Sequence, residues 1–202
     1  MVNRQEPFGK AKFGGLIPIE EYAEKNNVPI MQKDGIEFLT KYIKENNIKE
    51  ILEIGSAIGY SAIKMALIDK NIKVTTIERD KERYEIAIKN IKNMELENQI
   101  EIYNEDALEF NIEKKYDLIF IDAAKAQYIK FFEKYKKNLK QKGTIISDNL
   151  EFHGLVKNPE LTNNRNTKQL ALPRIIILCF FTKSTTPASY VLIKLSQDIP
   201  SL

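Results

Sequence analysis

A short β-forming run, Glu50 to Ile54, leads directly into two glycines four positions apart and then into a helix-forming stretch. The segment reads Glu53-Ile54-Gly55-Ser56-Ala57-Ile58-Gly59-Tyr60-Ser61. A strand that turns tightly into a helix must return over its own sheet, which calls for a parallel crossover. The flanking pattern agrees. Further strands are expected at 73–78, 100–104, 116–122 and 144–148, with helices at 61–67, 81–94 and 125–139 and a short turn or helix after Asp106. The run YDLIFID (116–122) is nearly continuous apolar, as a strand covered on both faces must be. Upstream, 19–26 reads as a helix, and Gln32 to Asn46 places Ile36, Leu39, Tyr42 and Ile43 at helical spacing. Alternating strands and helices predict an α/β fold built on a doubly wound, mostly parallel sheet. Residues 1–18, rich in Gly, Pro and Lys, read as a loose lead-in, and 19–202 as a single domain, as 202 residues would suit.

Composition removes several function classes. The single cysteine, Cys179, cannot form an intrachain disulfide, and the single histidine, His153, leaves no Cys/His zinc set and no Ser-His-Asp hydrolase without it. No apolar leader opens the sequence, and the run from Ile175 to Phe181 is too short to span a bilayer, so a cytoplasmic protein is expected. Net charge is +3, too small for a general nucleic-acid coat, but it is uneven. From Lys157 onward six basic residues face two acidic ones, so that segment carries +4 and the remainder −1. Cys179 reads as a small buried hydrophobe, His153 as a solvated loop residue and the Lys/Glu-rich stretch 81–97 as a solvated helix face.

The glycine turn points to a nucleotide-like cofactor. Ala57 stands where a G-x-G-x-x-G pattern has its second glycine, and a dinucleotide pyrophosphate needs that close approach, so NAD is disfavoured. S-adenosylmethionine has no phosphate and suits E-x-G-x-x-x-G better. Gly55 and Gly59 would admit its methionyl part, Glu78 at the end of the second strand would accept both ribose hydroxyls, and Asp106 after the third would lie near the adenine. Two more strands end in polar residues, Asp122 and the pair Asp148-Asn149. Two carboxylates and an amide oxygen form a hard partial shell suited to Mg²⁺ or Mn²⁺. Lys125, one turn beyond Asp122, would face the same mouth, where a divalent cation disfavours its ammonium form and makes it a credible base. Each of these residues alone also fits a helix cap or a surface turn. Their joint placement at strand ends is what favours a site.

At these residues the chain resembles the metal-dependent class I O-methyltransferases related to catechol and caffeoyl-CoA methyltransferases, a Rossmann-like family. The stretches that carry the resemblance are VPIMQ (28–32), ILEIGSAIGYSA (51–62), TIERD (76–80), EDAL (105–108), LIFIDAAKAQY (118–128) and ISDNLEFHGLV (146–156). The resemblance implies that Asp122, Asp148 and Asn149 bind the metal and that Lys125 assists deprotonation. It also implies cofactor contacts at Glu53, Gly55, Ser61, Glu78 and Asp106, with Asp122 among them. A dry pocket would help a transfer between an anionic oxygen and a cationic sulfur, which gives Met31 and the N-terminal helices an expected lid role. Within the family, AAKAQY and RNTKQL (165–170) are most similar to bacterial tRNA 5-hydroxyuridine methyltransferases, which make 5-methoxyuridine at the wobble position. The implied partner is then a tRNA anticodon loop. A small catechol-like acceptor is the alternative, and an inactive binding module the third reading; a homodimer is compatible with each.

Two departures from the family pattern stand out. A Gly-rich lead-in replaces the family's extra N-terminal helix. After Gln169, where a long charged helix and two strands ending in a GDG-like turn are expected, the chain reads ALPRIIILCFFTKSTTPASYVLIKL, with Pro173 breaking the helix. A shifted reading frame or a truncated gene would produce such a tail, and its last two strands would then pair poorly.

Overall fold

The computed structural model describes residues 17–123, 127–148, 176–181 and 189–194. Five helices and seven strands run in the order α1 (Ile17–Lys25), α2 (Lys33–Glu45), β1 (Glu50–Ile54), α3 (Tyr60–Ala66), β2 (Lys73–Ile77), α4 (Lys81–Asn93), β3 (Ile100–Tyr103), β4 (Tyr116–Ile121), α5 (Tyr128–Tyr135), β5 (Leu139–Asp148), β6 (Ile176–Phe181) and β7 (Ser189–Lys194). They build one sheet in the order β3-β2-β1-β4-β5-β7-β6. The first five strands are mutually parallel, and β7 pairs antiparallel with both β5 and β6. The strand order reverses between β1 and β4, the switch point at which open α/β sheets bind ligands.

Alternation along the central strands divides the core into two layers. Ile51, Val74, Leu118 and Phe120 face the layer that includes Leu39 and Ile43 of α2 and Ile63 of α3. Leu52, Ile54, Ile119 and Ile121 face Phe131, Phe132 and Tyr135 of α5. Both faces of β4 are covered, which is why YDLIFID needs no polar alternation. Helix α4 starts on a side-chain cap, the Asp80 carboxylate accepting the Arg83 backbone N–H at 2.9 Å. At the amino edge of the sheet, Asp117 accepts from the backbone N–H groups of Lys49 and Glu50, holding β4 against the start of β1.

Most elements lie within two residues of their expected bounds, and three differences have physical causes. Helix α1 begins at Ile17, so the last residues of the expected lead-in are helical. Of the helix expected over 125–139, whose first two residues lie outside the described residues, Tyr128–Tyr135 is α-helical and closes in a 3-10 turn at Lys136–Asn138, because Leu139 already pairs with Tyr116. Strand β5 therefore starts five residues early, and its register shifts between Tyr116 and Leu118, where Lys142 takes a left-handed φ of 66°. In the tail, β7 pairs with β5 in register from Thr144↔Lys194 to Asp148↔Tyr190, and with β6 from Ile176↔Lys194 to Phe181↔Ser189. Among the described residues no helix is long and apolar enough to cross a membrane.

Candidate active site

The turn after β1 is held from several sides. Gly55 donates its N–H to Ile77 O at 2.9 Å, and Gly59 N–H closes back on Ser56 O at 2.8 Å. Asn90 of α4 donates its side-chain amide to Ile58 O at 2.9 Å. Gly55 has φ +91°, Gly59 φ +84° and Ala57 φ +46°, so three of five consecutive residues lie in the left-handed region. A Cβ on Gly55 would sit 2.3 Å from the Asp122 carbonyl oxygen. That close approach lets Asp122 N–H donate to Ile54 O at 2.9 Å and brings the β1 turn and the β4 end together. Tyr60, first residue of α3, donates its hydroxyl to Glu20 Oε1 at 2.6 Å and so ties α1 to the turn. Burial and that bond hold the Tyr60 hydroxyl above the usual phenol range.

At the carboxyl ends of β1, β2, β3 and β4 lies a cavity of about 330 Å³. Gly55, Ala57, Glu78, Asp106 and Asp122 of the expected site, or of its turn, line it. Glu78 is 7% exposed, and its carboxylate oxygens accept from Ala57 N–H at 2.9 Å and Asp80 N–H at 2.8 Å. Each oxygen keeps a lone pair for a ligand hydroxyl. Asp106 accepts from Leu108 N–H at 2.8 Å, which fixes its loop. Sequence reasoning did not assign Arg79, Arg83, Glu105, Gln127 or Phe131 to this wall. Adjacency to Glu78 and Asp106 is a signal for Arg79 and Glu105, whereas Phe131 reaches the wall only because α5 folds back over β4.

Glu53 and Ser61 stand behind the wall rather than in it. Glu53 is fully buried and accepts hydrogen bonds from Ser61 Oγ at 2.5 Å and Thr76 Oγ1 at 2.6 Å. Burial raises its carboxyl to about 7; the two hydroxyl bonds pull against this, and the charge of Glu78 adds to it. In the same turn Ser56 Oγ is buried and has no hydrogen-bond partner among the described residues. A ligand-sized cavity, a backbone approach only glycine permits, an acid at the end of β2 and an orphan hydroxyl in the turn all fit a nucleoside cofactor.

For the metal set the described residues give part of the arrangement. Ile121 pairs with Ser147, so Asp122 and Asp148 follow neighbouring strands at one level on the carboxyl edge. Asn149 and Lys125 lie outside the described residues. Among the described residues no group of three His, Cys, Asp or Glu side chains is gathered to hold a metal ion. Two adjacent acid positions followed by an amide remain a hard-oxygen donor set of the right chemistry.

A sheet with this order and a glycine-turn cavity at its switch point define a Rossmann-like class I methyltransferase fold. The chain belongs to the O-methyltransferase family, whose model matches residues 16–179. It is 30% identical over 145 residues to a caffeoyl-CoA O-methyltransferase of Populus kitakamiensis, covering 68% of this chain and 61% of that protein. The tapetum-specific methyltransferase 1 of Arabidopsis thaliana is 30% identical over 143 residues, covering 67% and 61%. The chain spans about three fifths of the length of the curated relatives it matches. A Staphylococcus aureus protein assigned to the caffeoyl-CoA O-methyltransferases superposes with TM-score 0.75 at 36% identity, covering 90% of this chain and 92% of that one. The Bacillus cereus O-methyltransferase, solved with S-adenosylhomocysteine, has the same fold, with TM-score 0.76 at 24% identity and 94% of each chain covered.

Proposed function

We propose that this chain is an S-adenosylmethionine-dependent O-methyltransferase, assisted by Mg²⁺ or Mn²⁺, acting on an acceptor that presents two adjacent oxygens. The observation that carries the reading is the cavity into which the Gly55 turn, Glu78, Asp106 and Asp122 all converge. The cofactor supplies an electrophilic methyl group, and the metal, held by Asp122, Asp148 and Asn149, supplies Lewis acidity toward the acceptor oxygens. Glu78 accepts the ribose hydroxyls, and Gly55 gives the methionyl part room against the backbone. Ala107, Ile77 and Phe131 give the wall its apolar, water-excluding part. Lys125 receives the acceptor's hydroxyl proton at Nζ. Glu78→Ala is expected to weaken cofactor binding by about 1–3 kcal/mol, because buried ribose hydroxyls lose their acceptor. Calorimetric titration of the variant measures this, and unchanged affinity would remove Glu78 from the site.

The finer reading is a tRNA acceptor, 5-hydroxyuridine at the wobble position, methylated to 5-methoxyuridine. Its support is the similarity of AAKAQY and RNTKQL to that subgroup and the +4 charge from Lys157 onward. A base in an anticodon loop can be splayed into a pocket without opening a helix. A second reading, a small catechol or phenylpropanoid acceptor, is favoured by the caffeoyl-CoA relatives. Purified full-length chain is to be assayed for methyl transfer to tRNA bearing 5-hydroxyuridine and, separately, to a catechol. Turnover of the tRNA is the expected result, and turnover of the catechol alone moves the function to the small-molecule class.

A further inference from the structure

We propose that one flank of α5, carrying Lys130, Lys134 and Lys137 with Lys115 beside them, is a track for the phosphate backbone of an RNA acceptor, leading away from the cavity. The inference rests on the tRNA reading above and names a surface on which that acceptor lies.

Positive charge is concentrated in this part of the chain. Positions 114–142 hold nine lysines and three acids, a net +6 in a chain of net +3, so the remaining positions sum to −3. Ion pairs sort these lysines into two groups. Lys114 is paired with Glu50 at 2.6 Å, Lys136 with Glu133 at 2.6 Å and Lys140 with Asp117 at 3.1 Å. Lys115, Lys130, Lys134 and Lys137 make no ion pair among the described residues. Lys142 makes none either, but it lines a hollow with Tyr42 of α2, in the layer across the sheet from α5.

The four are neighbours. Lys130, Lys134 and Lys137 recur at intervals of four and three along α5 and the 3-10 turn that closes it, so they share a flank. Tyr128, Phe131, Phe132 and Tyr135 form the buried side of the helix, and the Glu133–Lys136 pair takes the other flank. Lys115 joins the row at its far end, where its ammonium donates to the Lys137 carbonyl. The row also starts in the right place. Gln127, which caps α5, and Phe131, which follows Lys130, both line the cavity. From there to Lys137 the helix rises by roughly 10 Å. A strand that inserts one base into the cavity can therefore lay its flanking phosphates along the row.

Two of the ammonium groups are held in place without being neutralised. Lys134 donates to the Leu108 carbonyl, with Nζ 5.7 Å from the centre of the Tyr135 ring, and Lys115 is held by Lys137. Each has three donors and keeps two for a phosphate. Side chains ordered before binding lose less entropy on binding. A lipid surface fits less well, because it calls for apolar residues beside the cations. The large hydrophobic side chains exposed among the described residues are Tyr22 and Ile88, neither of them on α5.

The test is fluorescence anisotropy of the full chain with tRNA bearing 5-hydroxyuridine, between 50 and 200 mM salt. Lys130→Gln, Lys134→Gln and Lys137→Gln combined are expected to make the log–log salt slope shallower by about 2, so that the triple variant loses about 16-fold less affinity than the wild type over that range. Arginine at the same three positions keeps the charge and should keep the wild-type slope. Lys41→Gln, Lys89→Gln and Lys92→Gln combined remove as much charge from α2 and α4 and should leave the slope within about 0.5 of wild type. If the first triple variant does not fold, Lys130→Gln with Lys137→Gln serves, since it leaves the Lys134 bond to Leu108 untouched; its slope should be shallower by about 1.5. An unchanged slope in the α5 variants, or an equal change in the α2 and α4 variant, overturns the inference, and tRNA binding by the wild type then leaves the acceptor reading standing. A wild type that binds no tRNA overturns that reading and the inference with it, and sedimentation with phosphatidylserine vesicles in that case assigns the row to a lipid surface.

Discussion

Gly55→Ala is expected to cost at least about 3 kcal/mol of stability and to abolish measurable cofactor binding. Two penalties add. The first is conformational: at φ +91° an L-residue is strained by about 1–3 kcal/mol. The second is steric, because the new Cβ would stand 2.3 Å from the Asp122 carbonyl oxygen and 3.0 Å from its carbon. The obstruction is backbone, not a flexible side chain, so relief requires β1 and β4 to part at their carboxyl ends. That movement stretches the Asp122 N–H to Ile54 O bond and shifts an acid that lines the cavity and belongs to the proposed metal set. Gly59→Ala is the control. It has a comparable φ of +84°, but its Cβ would meet the Ala87 Cβ at 3.3 Å and Cα at 3.4 Å, so α4 would need to give by only a few tenths of an ångström. Thermal unfolding should therefore show a drop of roughly 6–12 °C for Gly55→Ala and a clearly smaller one for Gly59→Ala. Equal drops for the two would show that the close approach to Asp122 is not what requires glycine at position 55.

The contrast between these two glycines illustrates how far the sequence could be read. Both are visible as turn residues, and the strand-turn-helix order around them is enough to place a ligand at the carboxyl edge of the sheet. Their difference was not visible, because it depends on which strand lies beside β1. The same holds for Glu53. The family resemblance implies a place for it in the site, but its burial against Ser61 and Thr76 follows from the register Glu53↔Thr76. Local patterning carries no register between strands more than twenty residues apart. Strand β5 was missed at its start for a related reason. Leu139 to Gly143 reads LKQKG, with little β-forming character, and pairs with Tyr116 only because β4 supplies an edge. Arg79 and Glu105 could have been found from their neighbours, Glu78 and Asp106. Phe131 belongs to the apolar stripe of a helix and gave no sign that this stripe also closes a cavity.

Asp148→Ala is expected to lower kcat/KM for methyl transfer on the order of 10²–10³-fold while leaving cofactor affinity within about threefold of wild type. The argument begins with the sheet. Ile121 and Ser147 are register partners, so the residues that follow them, Asp122 and Asp148, leave adjacent parallel strands together. Two acidic positions that leave adjacent strands together suit a divalent cation, whose charge offsets theirs. In the proposed site Asn149, next in the sequence, would add a neutral oxygen donor to a hard set with positions left for an acceptor. Asp122 is the less clean probe of the two, because it also lines the cofactor cavity and its backbone meets Gly55. Its replacement by alanine should reduce both turnover and cofactor affinity, so the pair of variants separates the two roles. Metal removal provides the independent arm. Excess EDTA should silence the wild type, and added Mg²⁺ or Mn²⁺ should restore it. Restoration of Asp148→Ala should need a higher metal concentration than restoration of the wild type, since one anionic ligand has gone. Full methyl transfer in EDTA would mean that Asp122 and Asp148 are helix-capping and turn residues, and that Lys125 and the acceptor manage the proton without a cation.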